Sequence, residues 1–152
     1  MKIIGQPDIS NPAHEDINSY AVSCSLSRKA PMPAEDLRRF AHKLMKTLSA
    51  ACRAKGAKDI GHIKAYIEHA GGFLTVDIVG DPAAAVVVEG RDGDLAGHFR
   101  LVLNAVAFGI SKSDLKAATD EALADVISAF ALVRVVVEAK TEETLNANKG
   151  GP

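Results

Sequence analysis

Apolar and polar residues alternate along Gly61–Val79, with one interruption at Gly71-Gly72. Ile63, Ala65 and Ile67 fall on one side of an extended chain, and His62, Lys64, Tyr66 and Glu68 on the other. Beyond the glycine pair, Leu74, Val76 and Ile78 oppose Phe73, Thr75, Asp77 and Val79. Successive side chains of a strand point to opposite faces, so this stretch predicts a hairpin of strands 61–69 and 73–80, each with one aliphatic face for the core. Gly80-Asp81-Pro82 then makes a turn, because proline does not fit inside a central ladder. Ala84–Glu89 is almost wholly apolar, which predicts a short strand (84–89) covered on both faces. Alternation returns in 98–108, with Phe99, Leu101, Leu103 and Ala105 against Arg100, Val102, Asn104 and Val106. A weaker alternation in 20–27 sets Val22, Cys24 and Leu26 against Ser23, Ser25 and Ser27, a possible N-terminal strand.

Two stretches carry the longer helical period. Leu37, Phe40, Ala41, Leu44, Leu48 and Cys52 recur every three or four residues. Pro33 suits the first turn, Glu35 and Asp36 suit the positive end of the helix dipole, and Gly56 suits the C-terminal cap, so a helix is expected over about 33–55. Ser111, Ser113 and Asp114 mark a second start. Leu115, Ala118, Ala122, Leu123, Val126, Ile127 and Phe130 form the stripe of a helix over about 113–137. Its end conflicts with Val133–Val137, whose composition favours β structure.

The expected fold is therefore α+β: a two-layer arrangement in which an antiparallel meander of four strands carries both helices on one face. Residues 1–18 read as a flexible arm, 19–140 as a single α+β domain, and 141–152 as a disordered polar tail. A chain of 152 residues suits one domain and buries a core without staples. Aromatics are 5% of residues and Trp is absent, so that core must be aliphatic. Aromatic platforms for bases or sugars are correspondingly scarce.

Net charge is −1, giving no global attraction to nucleic acid or acidic membranes. The distribution is uneven. Up to Lys64 there are 11 Lys+Arg against 6 Asp+Glu, and from Tyr66 onward 7 against 13. The halves can attract each other within one fold, or between copies. Cys24 and Cys52 have no CxxC or ligand spacing and read as buried thiols in a reduced, cytoplasmic protein. No signal peptide and no apolar run long enough for a membrane span is expected.

Chemistry concentrates on the outward side of the sheet. His62, Lys64, Tyr66, Glu68, Thr75, Asp77, Arg100 and Asn104 should meet there as candidate ligand-binding residues. His62 and Glu68 are candidate proton-transfer groups, and Lys64 and Arg100 would hold a small anion. A wet sheet face needs polar residues in any case. Phe73, Val79, Val102 and Val106 make the same face half apolar, which suits burial against a second copy. No catalytic residues are assigned and an enzyme is the less favoured expectation. No motif calls for a cofactor: GxxxxGK[ST], GxGxxG after a strand and GxSxG are absent, and Gly90, Gly93 and Gly97 read as loop glycines. His14, His42, His62, His69 and His98 show no paired metal spacing, and Asp92-Gly-Asp94 lacks the rest of a Ca²⁺ loop, so no metal is expected. Arg38, Arg39, Lys43, Lys46, Arg53, Lys55 and Lys58 offer a basic helix. Without interleaved aromatics it reads as a solvated face, with nucleic acid the third choice. The leading expectation is a small cytoplasmic binding or accessory protein that self-associates through its sheet. The alternative is a small-molecule enzyme or ligand sensor.

Overall fold

Alternation places half of each strand's side chains on one surface, and that surface is where both helices lie. The computed structural model describes residues 17–79 and 86–135. In chain order the elements are β1 (Ile17–Met32), α1 (Ala34–Ala54), β2 (Asp59–His69), β3 (Gly72–Ile78), β4 (Val87–Arg91), β5 (Ala96–Phe108), α2 (Lys112–Ala129) and β6 (Val133–Val135). The strands form one antiparallel sheet in the order β4-β3-β2-β5-β1-β6. The two-layer α+β class is as the periodicity predicts, with six strands in place of the expected four and a possible N-terminal fifth.

The meander holds only for β2, β3 and β4. The fourth expected strand, β5, does not add beside β4. It crosses back to pair with β2, setting Ile67 opposite Leu101 and Ala65 opposite Leu103. Length explains the choice. β4 has 5 residues and β5 has 13, whereas β2 has 11. Backbone contact also ties β4 tightly to β3. At Gly90 (φ +153) a Cβ would lie 2.0 Å from the Phe73 carbonyl oxygen, so only glycine fits there. β4 is thus an edge strand and not the doubly covered strand expected at 84–89. Of that expected range, residues 84 and 85 lie outside the described residues, as does residue 80 at the end of the expected hairpin.

The N-terminal strand is longer than its alternation suggests. β1 starts at Ile17, inside the expected arm of 1–18, whose residues 1–16 lie outside the described residues. It then continues through Arg28–Met32, beyond the possible strand expected at 20–27. The register with β5 shifts between Ser27 and Met32, and Met32 rejoins the ladder opposite Ala96, fully buried. Such an irregularity lets Pro31 sit in an extended segment without donating to the ladder.

α1 follows its sequence signals closely. Pro33 is the N-cap residue, and the first turn carries Glu35 and Asp36. Gly56 takes φ +104 just past the end. Its stripe of Leu37, Phe40, Ala41, Leu44, Leu48 and Cys52 is fully buried. α2 begins where expected: the Ser111 hydroxyl accepts a hydrogen bond from the Asp114 N–H at 3.1 Å. It ends eight residues earlier than the expected Val137. Ala131 adopts φ 56, and Val133–Val135 pairs with Ser25–Ser27 as β6. The β-branched run wins over helical spacing because a strand edge lies within reach of it. Residues 136–152, including the expected tail, lie outside the described residues.

Between the layers lies an aliphatic core. Ile63, Ala65, Ile67, Leu74, Val76 and Ile78 of the hairpin meet Phe99, Leu101, Leu103 and Ala105 of β5, all at most 1% exposed. Each large side chain so buried contributes about 1.5–3 kcal/mol. Phe40 of α1 packs edge-on against Phe99 and Phe130, at 5.5 Å in both cases. The charge asymmetry is resolved partly within the fold: Arg38 pairs with Asp92 at 2.8 Å and Lys55 with Glu121 at 3.4 Å. Each joins the basic first half to the acidic second half.

Candidate functional site: the uncovered sheet face

The other surface of the sheet has no helix on it among the described residues. Strand register arranges its side chains in rows. One row runs Arg91, Phe73, Glu68, Arg100, Ser25, Val135 from β4 to β6. The next runs Glu89, Thr75, Tyr66, Val102, Ser23. Asp77, Lys64, Asn104 and Ala21 follow, and then His62, Val106 and Ser19. All eight residues singled out in the sequence therefore lie on this face.

Its centre is apolar. Tyr66 and Phe73 stack diagonally, with centroids 6.1 Å apart, and the Arg91 guanidinium lies 5.9 Å from the Phe73 centroid. Tyr66 and Val102, side by side in the second row, are each 38% exposed, and Ile17, Val79 and Val135 are exposed further out. Around this stripe the charges balance: Glu68, Asp77 and Glu89 against Lys64, Arg91 and Arg100.

These charges are neighbours without being partners. Glu68 and Arg100 face each other across β2 and β5, yet no ion pair joins them. Arg100 instead donates from Nη2 to the Ser23 hydroxyl at 3.3 Å. Lys64 sits opposite Asp77, but the carboxylate leans toward His62, with Nε2 and Oδ2 3.8 Å apart. Thr75 donates to the Glu89 carbonyl at 3.5 Å. His62 and Glu68 are six residues apart on one strand, roughly 20 Å at ~3.3 Å per residue. One small substrate cannot use both, so the structure does not bring that expected proton-transfer pair together.

At the β2–β3 turn end the face dips into an open groove of about 660 Å³, lined by Ser25, Glu68, His69, Ala70, Gly97, His98 and Arg100. Ser25 and His98 were not among the sequence candidates. The serine alternation of 20–27 was visible, but nothing local placed β1 beside β5. The His69 ring lies on the opposite, helix-covered side, as its odd spacing from His62 requires. It is 8% exposed with neither nitrogen hydrogen-bonded among the described residues.

On the far side of the molecule, the basic helix is largely internally paired. Arg38 binds Asp92, Arg39 binds Asp36, Arg53 lies 3.8 Å from Asp59, and Lys55 binds Glu121. A second groove of about 430 Å³ is lined by Arg39, His42, Lys43, Lys46 and Phe130. Among the described residues no three His, Cys, Asp or Glu side chains converge as a metal would need, and no helix is long and apolar enough to cross a membrane. Both cysteines are free and buried. Burial pushes the Cys52 thiol up to about 11 and also raises that of Cys24, where Arg134 partly opposes it.

Comparison with family models, curated proteins and solved structures found no match.

Proposed function

We propose that this chain is a small cytoplasmic binding or accessory protein whose working surface is the uncovered sheet face, through which it self-associates. The observation that carries this reading is the face itself. It spans six strands, lacks a helical cover among the described residues, and sets a Phe73–Tyr66–Val102 stripe, with Phe73 half-buried and Tyr66 and Val102 exposed, among balanced charges. An apolar centre with a polar rim is the usual anatomy of a protein interface. Sedimentation over a concentration series tests it. The wild type should associate reversibly, and Val102→Asp should shift it to monomer while melting like the wild type at a dilution where both are monomeric. A wild-type monomer up to the solubility limit would sink the proposal.

A second reading is favoured by the groove at the β2–β3 turn end, where Arg100 and His98 offer donors to a small anion. Thermal shift against inorganic phosphate and simple carboxylates tests that reading, with Arg100→Ala as the control that should abolish any stabilisation. The reading of α1 as a nucleic-acid surface is weakened by its ion pairs, since acids of this chain already occupy four of its bases.

A further inference from the structure

Resting on the proposal that the sheet face self-associates, we infer that two copies pack face to face about a two-fold axis parallel to the strands, running between β2 and β5. Each Arg100 then pairs with Glu68 of the second copy. Glu68 and Arg100 are register neighbours and yet form no ion pair with each other. Both stand in the row that ends the apolar stripe.

A two-fold along the strands keeps each row in place and reverses the strand order. Glu68 of one copy then lies over Arg100 of the other, twice, and Tyr66 lies over Val102. Lys64 lies over Asn104, whose amide oxygen accepts from it, and Phe73 lies over Ser25. No like charges meet among these. Stacked sheets sit about 10 Å apart, a gap that a glutamate and an arginine side chain span together.

The competing axis, in the sheet plane but across the strands, reverses the rows instead. It would set Glu68 over Lys64, which is also complementary. It would also press the Phe73 ring onto the Asp77 carboxylate, removing water from a charge whose nearest donor, His62 Nε2, is 3.8 Å away. That cost favours the axis along the strands. Six strands at ~4.8 Å and about seven residues at ~3.3 Å make a face roughly 25 Å on a side. That is of the order of the ~800 Å² each partner contributes to a stable interface.

Charge exchange decides the matter, because Glu68, Lys64 and Arg100 are exposed and their replacement leaves the core intact. Dissociation constants are measured by sedimentation for wild type, E68R, R100E and E68R/R100E. Each single variant should weaken association at least ~10-fold, through like charges that meet across the axis. The double variant should return to within ~3-fold of wild type. Rescue by K64E/E68K in its place would overturn the inference by assigning the other axis. A dimer indifferent to every exchange would also overturn it, while leaving self-association standing. A wild-type monomer removes the parent reading and this inference together.

Discussion

The two faces of the sheet are built from the same strands, and neighbouring residues serve opposite ends. On the helix side Ile67, Leu101 and Leu103 are fully buried. One residue away, Tyr66 and Val102 each keep over a third of their surface. What separates them is only the parity of position. The covered face is aliphatic at its centre with aromatic edges interlocked, and its charge lies at the margin, where Arg28 reaches Asp36 and the Phe130 carbonyl. The open face has an apolar centre of similar kind but retains charges that do not satisfy one another. A face designed for water alone has no need of the Phe73–Tyr66 stack, and a face designed for a helix would not keep three acids and three bases.

The comparison breaks most sharply with one substitution on each face. Phe99→Ala should cost about 3–5 kcal/mol by opening a cavity between β5 and α1. Tyr66→Ser, on the open side, should change monomer stability by only about 0.5 kcal/mol. Urea denaturation of both variants at a concentration where the protein is monomeric checks the ratio. Equal losses would mean that the open face is itself part of the folded core.

The covered face should next reveal itself through alkali. The folded Cys52 thiol ionises near 11, above its ordinary 9.0. Below about pH 9 the thiol is protonated in both states and adds nothing to the pH slope. As pH rises from 9 toward 11 the unfolded thiol loses its proton first, so the folded state loses stability across that window. At ~1.36 kcal/mol per unit the loss reaches at most about 2–3 kcal/mol. Stability against pH for wild type and Cys52→Ala should diverge in slope only above pH 9. Parallel curves would show that the thiol is not held in the core.

A smaller effect concerns the edge. Gly90→Ala should destabilise by more than about 1 kcal/mol, because the new Cβ meets the Phe73 carbonyl and the backbone angle suits only glycine. Circular dichroism melts of this variant beside Gly97→Ala, whose Cβ meets nothing closer than 3.5 Å, separate the two glycines.

Much of this architecture was legible in the sequence, and the reason is parity. Alternation told which side of the hairpin would be buried, and the six inner residues of 63–78 are indeed in the core. It also placed all eight candidate polar residues on one face. Parity carries no information about which strand lies beside which. The return of β5 to β2 depends on strand lengths and on the close approach at Gly90, and neither is a periodic signal. The end of α2 was hidden differently. Val133, Val136 and Val137 satisfy helical spacing, and only the presence of β1's edge decides that Val133–Val135 becomes a strand. Ser25 and His98 were missed for the same reason, since the groove they line exists only once β1 and β5 are neighbours.

The pairing of β1 with β5 also sets a timetable. Ile17 meets Phe108, so about 90 residues must follow Ile17 before its partner exists. At ~5–20 residues per second of synthesis, β1 waits on the order of 5–20 s. During that wait an uncharged segment from Ile17 to Ser27 has no ladder to join. β1 can join the sheet in full only once Phe108 has been made, 108 residues into a chain of 152.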